Sequence, residues 1–291
     1  MNNPGSNNTF KPPHALVPTP KLYDELVGDG MENLAKGTVA GILPINPASV
    51  VLDIGCGTGA GTTAVLDAVS HSKTDKAHIT IKGVDIHEGA LDIYKKKAAE
   101  HKWPAEAIKA DASNLDTIAD ATFTHAIGTA FLFALPEDGV PAIKEIYRTL
   151  QSGGVAAFNS WAHVPNMDPL RVASAATRPE GTPEIRGGMD KWEDAEFLRG
   201  VIEKGGFASE KITMRKRDVY VTGTTIQRYA TMLWSFIGGT TKAGWLESDG
   251  EKWDEAIEIV EAELRKADGF KELEGGRLRL KFVANIAVAR N

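Results

Sequence analysis

The residues best placed to do chemistry are three aspartates and one run of glycines. The run is Val50-Val-Leu-Asp-Ile-Gly-Cys-Gly-Thr-Gly59, a short β-branched stretch that breaks into alternating glycines. Glycine lets the backbone turn tightly and lets a ligand rest directly on main-chain atoms. Asp53 stands two residues ahead of the first glycine, Asp85 closes a second apolar stretch, and Asp111 follows a third in Lys109-Ala-Asp-Ala-Ser113. Acids at the ends of successive strands gather along the carboxyl edge of a parallel sheet, where open α/β folds bind their ligands.

Gly55-x-Gly57-x-x-Ala60 also satisfies the dinucleotide pattern G-x-G-x-x-G/A. The acids argue for a different ligand. A carboxylate at position 53 repels a pyrophosphate and attracts a cationic amino acid. Asp85 suits ribose hydroxyls, which either ligand carries. Asp111 suits an adenine amino group and has no standard task toward a nicotinamide dinucleotide. The Tyr-x-x-x-Lys dyad of many dehydrogenases is also missing, since Tyr94 is followed at that spacing by Ala98.

Other reactive side chains are sparse. Cys56 is the single cysteine, which excludes a disulfide framework and a cysteine zinc site. Within the glycine turn it reads as a spacer. The histidines show no pair at metal-ligand spacing, so no metal is expected. His163, just past a strand in Ser160-Trp-Ala-His163, is a candidate general base. Tyr23, Trp161, Met232 and Trp234 are candidates for lining an acceptor pocket.

The elements that must position these residues alternate. Strands are expected at 49–53, 78–86, 107–110, 123–128 and 154–160, with helices at 62–70, 88–101, 114–120 and 138–150. Asp138 is placed to cap the last of these helices, with Pro141 in its first turn. Such alternation with short connections means a parallel sheet covered on both faces by helices. Residues 1–44 read as an extended, Asn- and Pro-rich tail of about twenty residues followed by a lid helix. Residues 45–291 read as one domain. Within it, 161–190 is an inserted loop region, 191–204 a helix and 209–221 a strand. Residues 222–275 form a helical insertion, and 277–289 a last strand.

The series VLDIGCGTG, GVDI, KADASNL, a strand ending at Gly128-Thr129, and EIYRTLQSGGVAAF resembles the motifs of class I S-adenosylmethionine-dependent methyltransferases over about residues 45–161. FLRGVIEKGGF and the strand after it are similar to that family's later helix and sixth strand. The resemblance implies a Rossmann-like sheet of seven strands, mostly parallel with the last antiparallel, and a helical cap insertion. It implies S-adenosylmethionine as cofactor. Gly55, Gly57, Thr58 and Gly59 would pack against its methionine part with Asp53 near. Asp85 would hold the ribose, Ile86 would lie on the adenine, and Asp111 and Ala112 would meet the adenine edge. Gly128 and Thr129 would lie under the methionine and the reacting methyl group. Many members carry an aspartate after the phenylalanine of the fourth strand; here Thr124 and His125 follow Phe123. Length and insertion are reminiscent of methyltransferases of fungal secondary metabolism.

Composition narrows the acceptor. The 33 basic and 39 acidic residues leave a formal charge of −6, and no basic patch interleaved with aromatics is present. An acidic surface gains little from a polyanion, so nucleic acid is a poor substrate. No apolar run is long enough to cross a membrane, and no signal core opens the chain. The expectation is a cytoplasmic enzyme methylating N or O of a small, largely hydrophobic molecule. Two readings stay open beside it: a protein or peptide acceptor, and a methyltransferase-like fold with a non-methylating activity.

Overall fold

The computed structural model describes residues 10–71, 78–185, 188–238 and 243–291. The first nine residues of the expected tail lie outside the described residues. The first elements are helices α1 (Pro20–Val27) and α2 (Gly30–Val39). The alternation then runs β1 (Val50–Ile54), α3 (Ala60–His71), β2 (Thr80–Asp85), α4 (Glu88–Glu100), β3 (Ala105–Lys109), β4 (Phe123–Gly128), α5 (Val140–Thr149) and β5 (Leu150–His163). Next come α6 (Met167–Thr177), α7 (Ala195–Lys204), β6 (Ile212–Thr225) and α8 (Ile226–Gly238). The last are α9 (Glu247–Glu251), α10 (Trp253–Leu264), β7 (Lys271–Glu272) and β8 (Arg277–Arg290).

The chain divides into two compact units. A sheet unit comprises residues 31–162, 191–219 and 283–291, and a helical unit comprises 1–30, 163–190 and 220–282. The strand order is β3-β2-β1-β4-β5-β8-β6, with the two-residue β7 antiparallel to β8 as an eighth strand. Parallel pairing joins β1 to β2 and β4, β2 to β3, and β4 to β5. β1 is interior to the sheet and reads Val-Val-Leu-Asp-Ile, buried at every position after the first. Burial at successive positions marks a strand covered on both faces. α5 buries Ala142, Ile143, Ile146 and Thr149, one stripe at helical spacing. At the outer edge β6 exposes Arg215, Lys216 and Arg217; charges on an edge strand discourage pairing with another chain.

Thr124, where the sequence resemblance leads one to expect aspartate, bonds across the sheet. Its hydroxyl accepts from Val50 N and lies 3.0 Å from Val50 O, so it stitches β4 to the start of β1.

In the helical unit α6 packs on α10. The buried faces are Leu170, Ala173 and Thr177 on one and Trp253, Ala256, Ile257, Val260 and Leu264 on the other. Arg178, the residue closing α6, is tied to Asp249 of α9 by bonds of 2.8 and 3.0 Å, and both side chains are enclosed. The Arg178 guanidinium also lies 5.4 Å from the Trp234 ring.

Three expectations need correction. Residues 114–120 are not a helix. Leu115 N donates to Glu145, while the carbonyls of Leu115 and Ile118 accept from Arg148, so tertiary partners replace the helical ones. The stretch 161–190 is not merely a loop, because it contains α6. Asp138 does not cap α5. Gly139 takes that position with no side-chain bond, and Asp138 pairs with Lys191 at 2.5 Å.

Candidate cofactor site

β1 delivers the chain into the glycine turn, and α3 begins one residue after it. Gly55, Gly57 and Gly59 all have positive φ, at 65°, 52° and 96°. At Gly57 an added Cβ would meet nothing within 4 Å, so the main chain there faces open space. A side chain would fill that space and strain a left-handed backbone, and glycine leaves it free for a ligand.

The turn is held against the end of β2. Cys56 N donates to Val84 O at 3.0 Å. Asp85 places one carboxylate oxygen 2.9 Å from Gly57 N and the other 2.8 Å from His87 N. Each oxygen has a further lone pair to offer. Ile86, next in sequence, is 54% exposed despite its size. Asp111, beyond β3, is exposed, and one of its oxygens accepts from Ser113 N at 2.8 Å. Thr58 and Ala112 are half-buried.

Asp53 is placed differently from the acids downstream. It is 1% exposed, and one of its oxygens accepts from Thr62 N at 2.7 Å and Thr62 Oγ1 at 2.8 Å. Its carboxylate therefore anchors the first turn of α3 beneath the glycines. Thr62 Oγ1 lies 2.8 Å from the Tyr94 hydroxyl, which extends the chain of bonds to α4. Burial pushes Asp53 up to about 6, against the pull of the two Thr62 bonds. Burial also raises the Cys56 thiol, with Asp53 adding to the effect, so the sulfur stays protonated and inert.

At the end of β4, Gly128 leads into Thr129 and Ala130. The Phe131 ring lies on Gly128 so closely that a Cβ there would fall 2.2 Å from it. The same ring lies 3.0 Å from a Cβ built on Gly55. These two glycines thus make room for Phe131. The Thr129 hydroxyl is buried without a hydrogen-bond partner. Ala130 has φ of 53°, and its N–H donates to the buried side chain of Asn159 at 2.9 Å.

The remaining candidates fall in different places. Trp161 is half-buried near the end of β5, and His163 is exposed. Met232 and Trp234 lie in α8 at 0% exposure, as packing residues of the helical unit. Tyr23 is 47% exposed and meets Phe236 edge-on at 6.1 Å. Thr62, Tyr94, Phe131 and Asn159 carry no sequence motif. Tyr94 and Asn159 bond residues 32 and 121 positions away, and Thr62 and Phe131 join nearer neighbours only through the way the turn folds.

Residues 51–154 match the methyltransferase domain family. The methyltransferase ktnA of Aspergillus niger is 27% identical over 263 residues, spanning 83% of this chain and 84% of that protein. Among solved structures, the YcgJ protein of Bacillus subtilis superposes with a TM-score of 0.54 at 13% identity. That alignment covers 88% of this chain and 97% of the other. Phosphoethanolamine N-methyltransferase 2 of Haemonchus contortus, solved with S-adenosyl-L-methionine, gives a TM-score of 0.51 at 14% identity. It covers 92% of this chain and 56% of that one. A mostly parallel sheet in this order, with a glycine turn after β1 and an acid closing β2, defines the class I methyltransferase fold. The chain has the fold of class I S-adenosylmethionine-dependent methyltransferases and carries a methyltransferase domain at residues 51–154.

Proposed function

We propose that the enzyme transfers the methyl group of S-adenosylmethionine to nitrogen or oxygen of a small, largely hydrophobic molecule. The likeness to a methyltransferase of Aspergillus niger supports an acceptor drawn from secondary metabolism. The single observation behind the cofactor assignment is Asp85, which supports the glycine turn through Gly57 N while keeping acceptor capacity on both oxygens.

Each residue then has a task. Asp85 accepts from the ribose hydroxyls, Ile86 offers its exposed face to the adenine, and Asp111 with Ala112 meets the adenine edge. Gly55, Gly57, Thr58 and Gly59 give the amino-acid portion a seat of bare main chain. Gly128 and Thr129 contribute from β4, with Asp53 supplying negative charge from beneath the turn. The residues present fit the cofactor: an open cradle at Gly57, a large apolar side chain left exposed at Ile86, and an orphaned hydroxyl at Thr129. Bound S-adenosylmethionine supplies an electrophilic methyl group on a sulfonium, so the protein's work is orientation and exclusion of water. Trp161 is the acceptor contact proposed at the end of β5. Among the described residues no cluster could hold a metal ion and no helix is long and apolar enough to cross a membrane.

The test is Asp85→Ala, measured by titration calorimetry with S-adenosylmethionine and its demethylated product. Loss of the carboxylate leaves ribose hydroxyls unpaired and frees Gly57 N. A buried unmet donor costs about 1–3 kcal/mol, so affinity should drop by roughly 10- to 100-fold. Unchanged affinity would remove the ribose assignment. Labelled cofactor offered with phenolic, amine and peptide acceptors then identifies the accepting atom.

A further inference from the structure

Asn159 stands near the end of β5, 1% exposed, and both ends of its amide are engaged. Ala130 N–H donates to Oδ1 at 2.9 Å, which settles which end of the amide is oxygen. Nδ2 donates to Thr38 Oγ1 at 2.8 Å, and Thr38 in turn donates to Leu34 O at 2.9 Å within α2. Every donor in this chain of three bonds has one direction. It runs from the segment after β4, through β5, into the backbone of α2.

Its first link falls on strained backbone. Ala130 is left-handed at φ of 53°, a region that costs a non-glycine residue about 1 kcal/mol or more and persists only where its surroundings impose it. The Asn159 amide is the group that holds Ala130 N. The residue before it is Thr129, whose hydroxyl is buried and unpartnered. A buried hydroxyl without a partner is costly, and such an exception calls for a ligand or a role.

We propose that Asn159 is a positioning residue for methyl transfer: by clamping Ala130 in its left-handed turn and bracing against Thr38, it fixes Thr129 so that the Thr129 hydroxyl meets the bound cofactor. This rests on the reading that the end of β4 lies in the cofactor site. Asn159 itself touches neither cofactor nor acceptor. Thr38 is the brace at the far end, since its hydroxyl accepts from the amide while donating to its own helix.

The test is a double-mutant cycle read in cofactor affinity. The variants are Asn159→Ala, Thr129→Val and the double variant, each measured by calorimetry, with circular dichroism and urea unfolding reporting the folded fraction. Thr129→Val should weaken S-adenosylmethionine binding about 5- to 20-fold, and Asn159→Ala by at least as much. In the Asn159→Ala background, Thr129→Val should cost no more than 2-fold further. If the two losses multiply instead, Asn159 is merely structural and the proposal is overturned. If Asn159→Ala does not fold, Thr38→Val removes only the brace and takes its place in the same cycle.

Asn159→Asp supplies an independent signature. An ionised carboxylate can accept from Ala130 but keeps Thr38 only by drawing its proton away from Leu34 O, whereas the protonated form can donate to Thr38 and restore the original direction. Cofactor affinity of this variant should therefore recover several-fold as pH is lowered, relative to the unmodified enzyme; a parallel pH profile contradicts the clamp. Asp85→Ala is run alongside. If it leaves affinity intact, the cofactor-site reading has failed. If it weakens binding while Asn159 and Thr129 act independently, only the clamp has failed.

Discussion

At the scale of single residues, the acids of the site divide by burial. Asp85 and Asp111 keep oxygens available, whereas Asp53 spends its carboxylate on α3. That enclosure has a thermodynamic sign. The folded state holds the Asp53 proton up to about pH 6, while the unfolded chain releases it near the ordinary 3.8. Between those values the folded state binds more proton than the unfolded, so stability from this group declines as pH rises from about 4 to 6. Asp53→Asn is neutral throughout and can still accept from Thr62. Its urea midpoint, compared with the unmodified enzyme from pH 4 to 7, should gain relative stability over that window. Identical pH dependence in both proteins would refute the raised Asp53. Cofactor affinity offers a second readout: protonation of Asp53 below about pH 6 removes a negative charge from beneath the turn, so binding of the cationic ligand should weaken there and the variant should not show that loss.

At the scale of elements, the helical unit is joined at one enclosed ion pair. Arg178 closes α6, Asp249 lies in α9, and neither side chain reaches solvent. Asp249 has a second duty, since it also accepts from Leu246 N at 2.8 Å and so starts α9. Removing one member strands the other charge, a loss of about 3–5 kcal/mol for buried pairs. Asp249→Ala should therefore lower the urea midpoint sharply. Arg178→Met with Asp249→Leu should cost clearly less than Asp249→Ala alone, because no charge is left behind. A double variant as unstable as the single would show that the Leu246 bond, not the pair, matters. The arrangement of such elements was legible in the sequence only in part. Strand β1 announces itself through its short β-branched run, β2 and β4 as short segments alternating with helices, and α5 through its stripe. α6 was hidden because Pro, Gly and Ala dominate its neighbourhood and its buried face is only Pro169, Leu170, Ala173 and Thr177. The expected helix at 114–120 fails for the converse reason: local propensity is overridden by Arg148 and Glu145, residues some thirty positions away. The glycine turn and its acids were readable because their contacts are local or fall at strand ends. The Asn159 clamp was not, since Thr38 and Asn159 are 121 residues apart.

At the scale of the molecule, the last strand in the chain is internal to the sheet. β8 lies between β5 and β6, so the sheet closes only after nearly the whole chain is available. Its inner stretch is buried from Ala284 to Ala289, and Asn285 reaches Ser160 Oγ at 3.3 Å and Glu193 O at 3.0 Å. Beyond it, Asn291 N donates to Gly154 O at 3.0 Å and its side chain to Leu150 O at 2.9 Å, which staples the first residues of β5. The sequence pattern at 277–289 identifies a strand but carries no information on its neighbours, because order within a sheet is set by long-range pairing. Long-range pairing makes a specific demand on any shortened protein. A chain ending at residue 282 keeps the glycine turn and all three acids, yet it exposes the facing edges of β5 and β6 and the apolar surface under Ile286 and Val288. Unpaired edges of that kind aggregate. The shortened chain should lose cooperative unfolding, bind S-adenosylmethionine at least 10-fold more weakly, and be cut rapidly by protease within 150–163. Retention of full affinity by that chain would mean that the cofactor site folds on β1 to β4 alone, independently of the strand that completes the sheet.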